Sequence, residues 1–138
     1  MTEQHKEITA QLSFSAVERP ELLSPITLAF VGDAVFELLT RQSLAAGGTL
    51  PADTLHKESV ARVCASAQSA AAERIEPLFT PEEAEIFRRG RNCTGVHVPK
   101  SASSRDYRRA TALEALFGYL WLTGQSERIT QLFAAIGQ

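Results

Sequence analysis

Two long apolar runs most limit how this chain can fold, and each carries carboxylates where a core should have none. The first, ITLAFVGDAVFELLTRQSLAA, follows Ser24-Pro25 and ends at Gly47-Gly48. A capping Ser with Pro at the first helical position marks a helix start. A helix apolar on nearly all sides belongs at the centre of a core. The second run, Ala110 to Leu122, lies in a helix expected from about Ser104 to Thr123, with a stop at Gly124. Glu114 is its only charged residue. No stretch of the chain approaches the ~20 uninterrupted apolar residues of a membrane helix.

The rest of the chain also reads as helices. One starts near Asp53 and is expected to run unbroken through ADTLHKESVARVCASAQSAAAERI. Leu55, Val60, Val63, Cys64, Ala67 and Ala71 recur there at three- and four-residue steps. Another begins at Thr80-Pro81-Glu82-Glu83, with Thr as cap and Glu in the capping-box place, and is expected to stop at Gly90. Arg91 to Ser103 reads as a loop. A short last helix follows Ser126, with Ile129, Leu132, Phe133 and Ile136 on one side. No run alternates with period two, so the expected fold class is all-α. Residues 1–22 read as an N-terminal extension, frayed to about Ser15, with a short helix around Ala16 to Leu22.

At 138 residues, 44% hydrophobic and 22% charged, the chain has ordinary globular composition for one domain. Two cysteines make no disulfide framework, and no Cys or His pair has zinc-site spacing. The N-terminus MTEQHKEITA lacks the apolar core of a secretory signal. These features predict a reduced, cytoplasmic protein with free thiols and no membrane partner. The net charge of −2 hides an uneven distribution. Arg88 to Arg109 holds seven basic residues and one acid, a local net of +6, whereas Glu73 to Glu85 holds five acids and one Arg. Local charge decides whether a surface can hold phosphates. A solvated Arg-rich loop is the plainer reading of the same stretch.

Asp33 has Ile26, Ala29, Phe30, Phe36 and Glu37 as neighbours on its side of the helix. An ionised Asp flanked by two Phe is costly unless a cation compensates. Glu37, one turn on, projects from the same face and adds repulsion. Glu114 has Ala110, Thr111, Phe117 and Gly118 as its one-turn neighbours, small enough in part for another helix to come close. Two explanations stand at this point. One is a structural ion pair with Arg41, Arg108 or Arg109. The other is a divalent cation, since carboxylates without His or Cys suit Mg2+ or Mn2+.

The motifs VGDAVFELL and ALEALFGYLWL resemble the two catalytic helices of the ribonuclease III family. LAFVGDAVFELL, LHKESVARVCASAQ, FRRGRN, VPKSAS and YRRATALEALFGYLWL fall in the order of its short, nuclease-only form, the Mini-ribonuclease III subfamily. The resemblance implies an all-α homodimeric domain over residues 23–138, with no double-stranded-RNA-binding domain. It implies an endoribonuclease that hydrolyses double-stranded RNA with Mg2+ (Mn2+ the alternative), leaves 5′-phosphate and 3′-hydroxyl ends, and matures 23S ribosomal RNA precursors. Asp33 and Glu114 fall on the family's catalytic, metal-binding positions. Longer family members carry Glu four and seven residues before the Asp, where this chain has Ala29 and Ile26, and Asp three residues before the Glu, where it has Thr111. These departures leave open the number of metals and any role for Glu37.

The expected chemistry is metal-assisted attack of water on a phosphodiester, with no side-chain nucleophile. His5, His56 and His97 show no catalytic spacing. Expected RNA-binding residues are His56, Lys57, Arg88, Arg89, Arg91, Asn92, Lys100, Arg108 and Arg109, with Arg105 a further cation of the stretch. Duplex RNA offers phosphates and 2′-hydroxyls rather than readable bases, so a ribosomal protein partner is one source of selectivity. A dimer is also expected from the apolar excess of the first helix, where Phe30, Phe36, Leu38 and Leu39 exceed what one side can bury. The competing functional readings are a non-catalytic RNA-binding module of the same fold and a helical protein-interaction domain.

Overall fold

A computed structural model describes residues 16–93, 97–100 and 103–137, so the expected frayed segment to Ser15 lies outside the described residues. Among them are six α-helices and two 3-10 turns, with no strand: α1 Pro25–Ala46, α2 Ala52–Val63, α3 Ala65–Ile75, α4 Pro81–Asn92, α5 Ser104–Leu122 and α6 Ser126–Ile136, the turns being Pro20–Leu22 and Glu76–Leu78. The local signals act as expected at most starts. Ser24 Oγ accepts from the Thr27 amide (3.2 Å) ahead of Pro25. Thr80 and Glu83 form the full reciprocal capping box. Ser103 caps α5 through the Asp106 amide (3.0 Å). Gly124, at φ +73°, follows the end of α5.

The α5 helix is the axis of the fold, and α1, α3, α4 and α6 all pack on it. Its residues Leu113, Leu116, Phe117 and Leu120 are sealed from water. Phe36 of α1 sits between Phe117 (5.4 Å) and Phe133 (5.6 Å, edge-on), tying α1, α5 and α6 together. No helix among the described residues is long and apolar enough to cross a membrane.

Three expectations need correction. The helix from Asp53 is two helices, because the backbone turns extended at Cys64 (φ −64°, ψ 159°). Cys64 closes α2 through its amide to Val60 and opens α3 by accepting from the Gln68 amide. The three- and four-residue rhythm runs straight through this bend, which is why it was invisible as pattern. The bend lets α3 bury Gln68, Ser69, Ala71, Ala72 and Ile75, whereas α2 buries only Ser59. Next, Gly90 does not end α4, which continues to Asn92. A Cβ there would stand 2.8 Å from the Ala112 Cα, so this glycine permits close packing of α4 on α5. Finally, α1 is not covered on all sides: Phe36 is core, but Ile26, Phe30 and Leu38 face solvent, Phe30 being 80% exposed.

Candidate active site

The two carboxylates come together because two glycines let α1 and α5 touch at the backbone. A Cβ on Gly32 would lie 1.6 Å from the Glu114 carbonyl oxygen, and one on Gly118 would lie 1.9 Å from that of Leu28. No side chain fits at either point. The crossing sets Asp33, next to Gly32, beside Glu114, one turn before Gly118, close enough for the two carboxyl groups to influence each other's charge. Asp33 is exposed and Glu114 half-buried behind it. The picture of Asp33 wedged between two core phenylalanines is therefore wrong: Phe30 points outward with it, and only Phe36 turns inward.

Burial drives the Glu114 carboxyl up to about 9. Asp33 adds to the shift by hydrogen bond and charge, Gln68 works against it, and Glu37 adds a smaller repulsion. At neutral pH the protonated form of Glu114 is therefore favoured. The ion-pair explanation fails for both groups. Arg41 binds Glu37 (2.9 Å), Arg109 binds Glu76, and Arg108 donates to Ser104 Oγ (3.3 Å). Among the described residues no cation pairs with Asp33 or Glu114. Two facing carboxylates without a counter-charge are the donor set of a hard divalent cation, which accepts one or two carboxylates and completes its shell with water and phosphate oxygens. No cluster of three or more His, Cys, Asp or Glu ligands occurs among the described residues, so an all-protein cage is not what they build. The Thr111 hydroxyl, on the turn before Glu114, donates to the Tyr107 carbonyl (3.0 Å).

Gln68 is the site neighbour that sequence reasoning missed. It is 2% exposed, lies on α3 and faces Glu114. Its signal was available: Cys64, Gln68, Ala71 and Ile75 form one stripe, and a polar residue stands in it.

The expected RNA-binding residues divide. His56, Lys57, Asn92, Lys100 and Arg108 are exposed and Arg91 is half-buried. Arg88 is exposed but pairs with Glu85 (2.7 Å), and Arg105 lies 3.6 Å from Asp106. Arg89 donates to the carbonyls of Glu21 and Leu23, pinning the N-terminal 3-10 turn to α4. Arg109 is a correction. It is 9% exposed, ion-paired with Glu76 and stacked 5.6 Å from the Phe87 ring, so it is a packing residue. Part of the basic stretch is therefore neutralised by the acidic stretch before it. At the α2–α3 bend, Pro99, Ser103, Asp106 and Tyr107 face Cys64 and Ser66 around a hollow of about 360 Å³.

Residues 26–125 match the Ribonuclease III domain family. The chain is 40% identical to a Mini-ribonuclease 3 of Symbiobacterium thermophilum over 84% of its length and 89% of the relative's. It is 46% identical to one of a Thermoanaerobacter species, covering 80% and 78% of the two chains. An X-ray structure of a Fusobacterium nucleatum protein superposes with a TM-score of 0.75 at 33% identity, covering 80% of this chain and 90% of that one.

Proposed function

The chain belongs to the ribonuclease III family, in its Mini-ribonuclease 3 branch, and is an endoribonuclease of double-stranded RNA; on that premise we propose that Asp33 and Glu114 hold the Mg2+ with which it hydrolyses the RNA backbone. The observation that carries this reading is the pairing of these two carboxylates at a glycine-lined helix crossing with no cation to balance them. Bound there, the ion supplies charge stabilisation at the phosphodiester and a water activated for in-line attack. Asp33, exposed at the mouth of the pair, is placed to accept that water's proton on a carboxylate oxygen. Glu114 releases its own proton to become a ligand, which its burial and the Asp33 charge otherwise oppose. Attack by water leaves 5′-phosphate and 3′-hydroxyl ends.

The phosphate-contacting set is His56, Lys57, Arg91, Asn92, Lys100 and Arg108, with Arg88 and Arg105 able to exchange their surface carboxylates for phosphate. Exposed ion pairs are weak enough for that exchange. The domain works as a homodimer in the cytoplasm on 23S ribosomal RNA precursors, and a ribosomal protein bound to the precursor sharpens its choice of site. The test is cleavage of long double-stranded RNA with Mg2+, with EDTA, and by Asp33→Asn. The expected result is Mg2+-dependent cutting that falls by about 10²-fold or more in a folded variant. RNA binding without cutting by the wild type would favour a non-catalytic module.

A further inference from the structure

Glu114 lies between two side chains from two different helices. Asp33 approaches from α1 and Gln68 from α3. Gln68 is almost wholly buried, on a helix whose buried face is otherwise small or apolar: Ser69, Ala71, Ala72 and Ile75. Its Nε2 makes no hydrogen bond of ordinary geometry, one of three buried side-chain nitrogen or oxygen atoms so placed among the described residues. An amide N–H sealed from water without a partner is destabilising. Such an atom, kept against a catalytic carboxylate, needs an explanation in the working state of the site.

We infer that Gln68 is a positioning residue: its Nε2 donates to one Glu114 carboxylate oxygen and thereby aims the other at the ion shared with Asp33. The inference rests on the metal-site reading above. A ligating carboxylate usually needs a second hydrogen bond to fix its orientation, and loss of such a partner typically weakens metal binding by about 10–100-fold. Here the α2–α3 bend supplies that partner. An unbroken helix would not turn the Gln68 face of α3 onto α5. Cys64, where the chain bends, also meets Pro99 and Ser103 of the basic segment. One backbone feature thus places both the carboxylate's support and a part of the phosphate-facing loop.

Two variants test it. Gln68→Met keeps the length and volume of the side chain and removes the donor. Gln68→Glu keeps the shape and replaces the donor with an acid. Each is followed in three ways: melting temperature in EDTA, the rise in melting temperature with Mg2+ in the absence of RNA, and the Mg2+ concentration for half-maximal cleavage. Gln68→Met is expected to melt in EDTA no lower than the wild type. It should need about tenfold more Mg2+ for both the thermal shift and cleavage, with RNA binding in EDTA unchanged. Gln68→Glu is expected to weaken Mg2+ binding as well, by setting a third carboxylate against Glu114. Wild-type Mg2+ titrations in Gln68→Met would overturn the inference and make Gln68 a packing residue. Tighter Mg2+ binding by Gln68→Glu would overturn it too, by making position 68 a direct ligand. A wild type with neither a Mg2+ thermal shift nor Mg2+-dependent cleavage would instead overturn the metal-site reading itself, and this inference with it.

Discussion

Burial, the Asp33 hydrogen bond and the Asp33 charge raise the Glu114 carboxyl from 4.5 to about 9, and that sets a pH signature. Between those values the folded chain keeps a proton that the unfolded chain has lost. Its contribution to stability is complete below 4.5 and is lost as pH rises through about 9. In EDTA the wild type should therefore lose melting temperature from pH 6 to pH 9, and Glu114→Gln, which cannot ionise, should lose less. Parallel curves would mean that the carboxyl is not held protonated. Mg2+ reverses the demand, since a ligand must be ionised. The half-saturating Mg2+ concentration of the wild type should fall between pH 7 and pH 9. The cations make a second contrast at this scale. Arg109→Met should cost about 2 kcal/mol in urea unfolding, because it strips a charged hydrogen bond from Glu76; Glu76 is about a third exposed, which keeps the cost below that of a fully buried pair. Lys100→Ala and Arg108→Ala should leave stability within about 0.5 kcal/mol. Each should reduce the salt dependence of RNA binding by about one unit of slope. The basic run showed which residues could meet phosphate, but not that Arg109 turns inward, because a charge run carries no sign of its partners in space.

Helix starts were legible because a cap is a local contact, satisfied within four residues of chain, as at Ser24, Thr80 and Ser103. The carboxylate pair was legible in part. Asp33 and Glu114 stood out as charges in apolar runs, yet their meeting depends on a crossing between positions 81 residues apart in sequence. The Cys64 bend was not legible, since its neighbours keep helical spacing on both sides. The glycines lay between these cases: Gly118 invited a close-approach reading, whereas Gly90 imitated a helix stop. Gly32→Ala and Gly118→Ala are the sharpest test of the crossing. A methyl group at either position would strike backbone at under 2 Å, so α1 and α5 must part. Overpacking of this kind costs about 1–3 kcal/mol or more, and here it should also separate the carboxylates and abolish cleavage. Gly47→Ala is the control, because its Cβ would meet nothing nearer than the Leu44 carbonyl at 3.4 Å. Stable, active Gly32→Ala protein would show that the helices do not touch as described.

One face of the molecule is unfinished in a single chain. Phe30, Val31, Leu38, Leu39, Trp121 and Ile129 line an open groove of about 900 Å³, and Asp33 and Glu37 share its wall. Phe30 is 80% and Leu38 60% exposed, an apolar display on the most apolar of the described helices. Surfaces of this kind mark association sites. The homodimer proposed above would close this groove with a second copy and bring each carboxylate pair to the subunit boundary, where two active sites could meet two strands of one duplex. Phe36 and Phe117 take no part in that surface, since they are wholly inside the monomer. Phe30→Asp therefore removes an exposed contact without touching the core. The variant should keep its helical content and sediment as a 15.0 kDa species at micromolar concentration, whereas the wild type should sediment as twice that mass. It should also bind duplex RNA more weakly, with a shallower salt dependence, because half of the phosphate-contacting cations are lost from each complex. A wild type that sediments at 15.0 kDa under the same conditions would remove the dimer and leave this apolar face without its proposed cover.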